Sequence, residues 1–297
     1  MNTLSKDYGF QDIIENLSRF WRDNGCVLVP PSQVEISSPM FHPICFFQAI
    51  DNDINTSIMY FQSQVSSKEY RNVSYEMKNY SFLKFQVFIK KQIENPQKIF
   101  FDSLAAMGLD FKNSDIRFES KNFNNFIFRL NSQSFSVFYN NIYIARISYI
   151  QSFGNYESNM TRLSITYDID RMLILLQDSE DIWSVNWDKN NTNIKYSDIM
   201  FSIEKDNYDF IFDNCNNEFL FENLKNYISM SEELLSRQIV IPAYTTLLKA
   251  KYCLDILNFR NFIYSHQKIN YNKLLRGLID KCCEQYLSKK SKEVNNE

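Results

Sequence analysis

The stretch Ser81-Phe82-Leu83-Lys84-Phe85-Gln86-Val87-Phe88-Ile89-Lys90 is the most informative in the chain. Leu83, Phe85, Val87 and Ile89 are apolar, while Lys84, Gln86 and Lys90 alternate with them on the side that also carries Phe82 and Phe88. A period of two puts successive side chains on opposite sides of a pleat, so the segment reads as a β-strand with one core face and one face that meets something polar.

Just upstream, Met59 to Gln62 reads as a second strand. A polar loop of roughly twenty residues separates the two, too long for a simple hairpin turn and of the length that carries function. Nearer the N-terminus, Phe10, Ile13, Ile14, Leu17, Phe20 and Trp21 recur at helical spacing, and Asn24-Gly25 supplies a stop. The apolar run Cys26-Val27-Leu28-Val29 then ends at Pro30-Pro31, where a strand loses its ladder donor.

Downstream, Pro96 opens a helix that Gly108 closes, and Ile116-Arg117-Phe118 reads as a strand. Strands over about Ser134 to Tyr139 and Ile142 to Gln151 are joined by Asn140-Asn141, which tolerates the positive φ of a tight turn. Ile165, Ile169, Met172, Leu173 and Leu176 are spaced as a helix with Arg171 away from the apolar stripe. After the break Lys189-Asn190-Asn191-Thr192-Asn193, helical spacing dominates from about Asn217 to Leu287, including a helix over Tyr244 to Ile256 that starts just after Pro242. The tail from Lys289 to Glu297 is polar and expected to fray. The expected fold is α+β, an antiparallel sheet flanked by helices over residues 1–188 and a helical region over residues 189–297. The sequence has no G-x-G-x-x-G or P-loop pattern, which argues against a parallel sheet with a phosphate-binding turn.

Composition bounds the function. The 297 residues are 44 % hydrophobic and 23 % charged, the balance of a folding chain. With 32 Lys and Arg against 35 Asp and Glu, the net charge of -3 provides no overall positive field for nucleic acid, so any RNA contact must be local or shared. No apolar run approaches the roughly 20 residues that cross a bilayer. The opening residues lack a basic start and an apolar stretch, so a cytoplasmic location is expected. Six Cys lack C-x-x-C spacing and only two His are present, so buried thiols are expected rather than a zinc site. Only 5 Gly accompany 26 Phe and 18 Tyr, so glycine can be missing where a backbone must approach a ligand.

Several segments taken in order resemble a known family. Phe10-Gln11, Trp21, Gly25-Cys26, Pro30 and His42-Pro43 are followed by Tyr60-Phe61-Gln62, Arg71 and Phe85-Gln86-Val87-Phe88-Ile89-Lys90. Then come Asp115-Ile116-Arg117-Phe118, Tyr149-Ile150-Gln151, Gly154, Glu157, Ile165-Thr166-Tyr167, Arg171, Pro242-Ala243-Tyr244 and Leu248-Lys249-Ala250. Their order and spacing resemble the alpha subunit of the heterotetrameric bacterial glycyl-tRNA synthetase, a class II aminoacyl-tRNA synthetase, over nearly the whole chain.

The resemblance implies a class II catalytic sheet that activates glycine with ATP to glycyl-adenylate and passes the glycyl group to tRNA(Gly). It implies Mg2+ and a beta subunit, in a tetramer of two alpha and two beta chains. Chemically, such a site needs cations for the developing phosphate charge, an anion for the glycine ammonium and a flat partner for adenine. By resemblance, Arg71 lies in the motif 2 loop that grips ATP, Gln86 on the sheet floor, Glu157 near the glycine amine, and Arg171 on the adenine ring. Gln151 and Thr166 are expected to line the substrate. His42 is expected to be structural, because the only other histidine, His266, lies far along the chain. The first helix and strand, ending at Pro30, resemble motif 1 and imply a homodimer.

The chain also departs from the family. Val65-Ser66-Ser67 and Gln48 replace arginines, Arg129 to Ser134 replace a Gly-rich stretch, Leu163 and Asp168 replace glycines, and Ser164 replaces a glutamate. Losing one charge-stabilising donor typically costs about 100- to 1000-fold in rate. The departures leave two readings: an eroded but working catalytic subunit, preferred because Arg71, Gln86, Glu157 and Arg171 survive, and a non-catalytic assembly subunit or paralogue. A bare nucleic-acid-binding module is disfavoured by the net charge.

Overall fold

A computed structural model describes residues 8–52, 55–65, 80–109, 114–154, 156–191 and 193–294, without the side chains of 157–161 and 293–294. Its sheet comprises β1 (Cys26–Leu28), β2 (Ser57–Val65), β3 (Ser81–Ile89), β4 (Ile116–Ser120), β5 (Asn131–Tyr139), β6 (Ile142–Phe153) and β7 (Tyr156–Asp168). The spatial order is β1-β2-β3-β7-β6-β5-β4. Every pairing is antiparallel except the short edge pair β1–β2, which runs parallel.

The helices are α1 (Phe10–Asp23), α2 (Pro43–Ile50), α3 (Pro96–Ala106), α4 (Ile169–Gln177), α5 (Tyr196–Tyr208), α6 (Asn217–Ser236), α7 (Val240–Phe259) and α8 (Ser265–Val294). One π-turn, Asp209–Asn214, joins α5 to α6. None of the helices among the described residues is long and apolar enough to cross a membrane.

The alternation in β3 is realised as expected. Leu83, Phe85, Val87 and Ile89 are buried with Leu163, Ile165 and Tyr167 of β7 and Ala145 and Ile147 of β6, under α1, α3 and α4. A buried polar relay staples this layer: Trp21 Nε1 donates to the Tyr167 hydroxyl at 3.2 Å, and that hydroxyl shares a 2.6 Å bond with Ser103 of α3. Gly9 opens α1 because nothing larger fits, since a Cβ there would lie 2.7 Å from the Trp187 carbonyl oxygen. Asn140 and Asn141 both have positive φ, 48° and 67°, and form the expected tight β5–β6 turn.

A second core joins the opposite sheet face to the C-terminal helices. Ile58, Tyr60, Phe88 and Ile150 pack with α2, α6, α7 and α8. Tyr244 of α7 stacks on Phe46 at 4.4 Å and donates to the Phe41 carbonyl at 2.9 Å. Arg129 makes a two-pronged ion pair with Asp280 of α8, at 2.6 and 2.7 Å. Arg129 has φ 46°, a left-handed backbone costing about 1–2 kcal/mol in a residue with a Cβ. This is the segment that replaces a Gly-rich one in the resemblance, and the ion pair fastens its side chain.

Two sequence expectations change in detail. Ile165 belongs to β7, and α4 begins only at Ile169. The i, i+4 spacing of Ile165 and Ile169 fits a helix face, but Ile165 is held between Val87 and Ile147 by sheet register. The helix expected after Pro242 begins at Val240, because proline is tolerated in a first helical turn. All six cysteines are free and buried, as expected, and burial pushes the thiols of Cys26 and Cys45 up to about 11 and 12.

Candidate active site

The polar face of the sheet brings one row of side chains into line. Tyr60, Gln86, Thr166, Arg146 and Ser136 are register partners on β2, β3, β7, β6 and β5. Gln86 is fully buried at its centre. Its Oε1 accepts from Thr166 Oγ1 at 2.6 Å, and its Nε2 donates to Ser164 Oγ at 2.7 Å and to the Val87 carbonyl at 2.9 Å. These bonds fix the amide orientation, so Gln86 acts as a rigid floor that hands its polarity to Thr166 and Ser164.

Beyond Ser164, hydroxyls fill the next row. Ser134 donates to Ser148 at 2.8 Å, pairs with Ser132 at 2.8 Å, and Ser132 donates to the Phe123 carbonyl at 2.7 Å. Short hydroxyls therefore occupy the floor where the resemblance places a glutamate and Gly-rich backbone. Arg146 emerges beside them and lays its guanidinium over the Phe123 ring at 4.4 Å.

At the other end of the face, Asp168 closes β7 and caps α4, accepting from the Arg171 backbone N–H at 3.3 Å. Lys84, its register partner, donates to Asp168 Oδ2 at 2.5 Å. Arg171 Nε lies 3.8 Å from the same oxygen, and its guanidinium sits 5.2 Å from the Tyr143 ring centre. The Arg171 side chain is 39 % exposed, against 3 % for Asp168.

Asp170 lies beneath. The Leu83 N–H donates to it at 2.9 Å and the Tyr196 hydroxyl at 3.2 Å. Burial first, and the neighbouring Asp168 second, push its carboxyl up to about 7. Asp168 and Asp170 are thus committed to protein partners. No group of three or more His, Cys, Asp or Glu that could by itself hold a metal ion is found among the described residues.

The structure brings together Gln86, Thr166 and, one helical turn on, Arg171. Gln151 sits exposed at the bulge between Ile150 and Ser152 and does not join their row. Glu157 lies in β7, but its side chain is outside the described residues, and Arg71 lies outside them altogether. His42 is buried and caps α2: its Nδ1 accepts from the Ile44 N–H at 3.1 Å, which leaves Nε2 to donate to the Pro30 carbonyl at 3.0 Å. Burial lowers its pKa, so it is a neutral structural residue, as expected.

Lys84, Arg146 and Tyr143 are not among the residues singled out from sequence, and Asp168 is singled out there only for replacing a glycine beside Arg171, with which it pairs at 3.8 Å. For Lys84 the signal was present in the β3 alternation. For Arg146 it lies in the alternation of β6, with Ser148 and Ile150.

A family profile described as glycyl-tRNA synthetase alpha subunit matches residues 10–291. The glycine–tRNA ligase alpha subunit of Petrotoga mobilis is 25 % identical over 284 residues, covering 96 % of this chain and 98 % of that protein. Two solved structures of pyrrolysyl-tRNA synthetase from Desulfitobacterium hafniense are similar at a TM-score of 0.41. They share 10 % and 11 % identity, covering 63 % and 59 % of this chain and 76 % and 72 % of theirs.

Proposed function

The chain belongs to the glycyl-tRNA synthetase alpha subunit family, and on that premise we propose that its polar sheet face binds ATP and glycine and joins them as glycyl-adenylate. The glycyl group then passes to tRNA(Gly) with the help of a beta subunit. The observation that carries the reading is the Gln86–Thr166–Ser164 floor with Arg171 exposed beside it on one sheet face.

Arg171 serves as the flat cation on adenine, because a guanidinium lies parallel to an aromatic ring and stays charged. It already lies near one ring, that of Tyr143. Gln86 and Thr166 orient the reacting groups, Gln151 faces the substrate from the strand bulge, and Glu157 holds the glycine ammonium. Arg71 grips the ATP phosphates from the motif 2 loop, and Mg2+ enters with the nucleotide. The catalytic body spans residues 1–188 and the helical region 189–297, in a cytoplasmic tetramer of two alpha and two beta subunits. Val27 and Leu28 of β1 are 52 % and 60 % exposed, an apolar edge that supports pairing of two alpha chains through α1 and β1. The near full-length family match favours a ligase over a non-catalytic assembly subunit.

The test is glycine-dependent exchange of pyrophosphate into ATP by the full chain, alone and with its beta subunit. Exchange is expected, and Arg171→Ala should raise the KM for ATP roughly tenfold, the equivalent of one lost stacked cation. Absence of exchange in both forms sinks the ligase reading in favour of the assembly subunit.

A further inference from the structure

We propose that Lys84 is a positioning residue for Arg171: by hydrogen-bonding the Asp168 carboxylate it keeps the guanidinium from forking onto that carboxylate and leaves it presented to a planar ring. The inference rests on the reading above for the identity of that ring, the adenine of ATP, and adds a residue which that reading does not use.

Asp168 stands three residues before Arg171 on the same helical turn, the spacing at which an acid and a base pair across a helix surface. Left alone, a carboxylate only 3 % exposed would draw the nearest cation, since burial makes an unpaired charge costly. Arg171 is one such cation, and a guanidinium forked onto Asp168 would lie along the helix rather than across the site.

The structure shows a different arrangement. Lys84 hydrogen-bonds Asp168 Oδ2 at 2.5 Å, whereas Arg171 Nε keeps only a long ion-pair contact with that oxygen, at 3.8 Å and beyond hydrogen-bond range. With only that long contact to Asp168, the Arg171 guanidinium lies over Tyr143, 5.2 Å from its ring centre. Lys84 is held there by strand register, because Lys84 and Asp168 are direct partners across β3 and β7. Its side chain is only 10 % exposed, so the pairing is little screened by solvent. Asp170, the next carboxylate, is engaged by the Leu83 N–H and the Tyr196 hydroxyl and offers Arg171 no substitute. Lys84 therefore acts through Asp168 rather than through the nucleotide.

The experiment compares the wild-type full chain with Lys84→Met, Asp168→Asn and the double variant. Two readouts are taken: hydrogen exchange of the Arg171 Nε–H by NMR without nucleotide, and the KM for ATP in pyrophosphate exchange. In Lys84→Met, Arg171 should collapse onto Asp168, slowing its Nε–H exchange and raising the KM for ATP roughly tenfold, with kcat changed less. The double variant should restore both readouts to within about twofold, and Asp168→Asn alone should leave both near wild type. If Lys84→Met does not fold, Asp168→Asn is compared directly with the double variant. Removing Lys84 should then be silent, because the carboxylate it neutralises is already gone.

A double variant that stays impaired relative to Asp168→Asn overturns the proposal, as does a folded Lys84→Met with wild-type Arg171 exchange. The adenine reading fails separately. If Arg171→Ala leaves the KM for ATP unchanged while the NMR readout follows the pattern above, Lys84 positions Arg171 for some ring other than adenine.

Discussion

The two faces of β3 obey opposite rules. On one, Leu83, Phe85, Val87 and Ile89 are buried among aliphatic and aromatic neighbours, and stability comes from area removed from water. On the other, Lys84 and Gln86 are buried almost as deeply, yet each is held by named polar partners. Burial alone therefore does not separate core from site. What separates them is whether a buried atom needs a partner, and a face built of such atoms keeps its geometry only while every partner is present.

The largest effect should come from the apolar face. Phe85 is fully buried and meets Tyr167 edge-on, with ring centres 6.3 Å apart. Phe85→Ala should cost about 3–5 kcal/mol in urea-denaturation experiments. A cost under about 1 kcal/mol would mean that this face is not the close-packed layer described.

Asp170 tests what happens when a charge belongs to neither face. Its folded pKa of about 7 stands above the ordinary value of about 3.9 for an aspartate. Between about pH 4 and pH 7 the unfolded chain has released a proton that the folded chain still holds. Stability should therefore fall as pH rises through that window, by up to about 4 kcal/mol, and level off above it. Asp170→Asn should remove that slope. Glu204, also raised by burial, leaves a residual slope of the same sign. Urea midpoints at pH 5 and pH 8 for both proteins decide the matter, and identical pH dependence would refute it.

Gln86 refines the contrast because it is the immediate neighbour of Phe85. Gln86→Ala strands Thr166 and Ser164 and should cost about 1–3 kcal/mol, less than its apolar neighbour. Its effect on pyrophosphate exchange should nevertheless exceed that of any apolar-face variant that remains folded. The smallest effect belongs outside both faces: the exposed Lys98–Asp102 pair of α3 should contribute only a few tenths of a kcal/mol, measurable by a double-mutant cycle.

Much of this contrast is legible in the order of the amino acids. The alternation in β3, the Asn140-Asn141 turn and the α1 stripe each rest on a local period or a local backbone preference, and each is found where expected. β7 is the clearest failure. Its residues Ser164, Thr166 and Asp168 alternate with Leu163, Ile165 and Tyr167, but the helical spacing that continues into α4 masks the switch from period two to period 3.6. Gln86, Thr166 and Arg171 are expected only by family resemblance, and the structure sets them near one another. No local pattern indicated that Lys84 would meet Asp168, since the two are 84 residues apart and become neighbours only through the β3–β7 register.

Which face of each regular strand is apolar, where the tight turn lies and to which family the chain belongs are all set by the linear chain, because periodicity, turn chemistry and ordered motifs are local or sequential properties. Folding in three dimensions settled which polar groups share a row, that Arg146 joins it, that Asp168 is taken by Lys84 and that Arg171 turns toward a ring. Those outcomes depend on strand order and register, and a shift of one residue in register would send Lys84, Gln86, Arg146, Thr166 or Asp168 to the opposite face, away from Arg171 of α4.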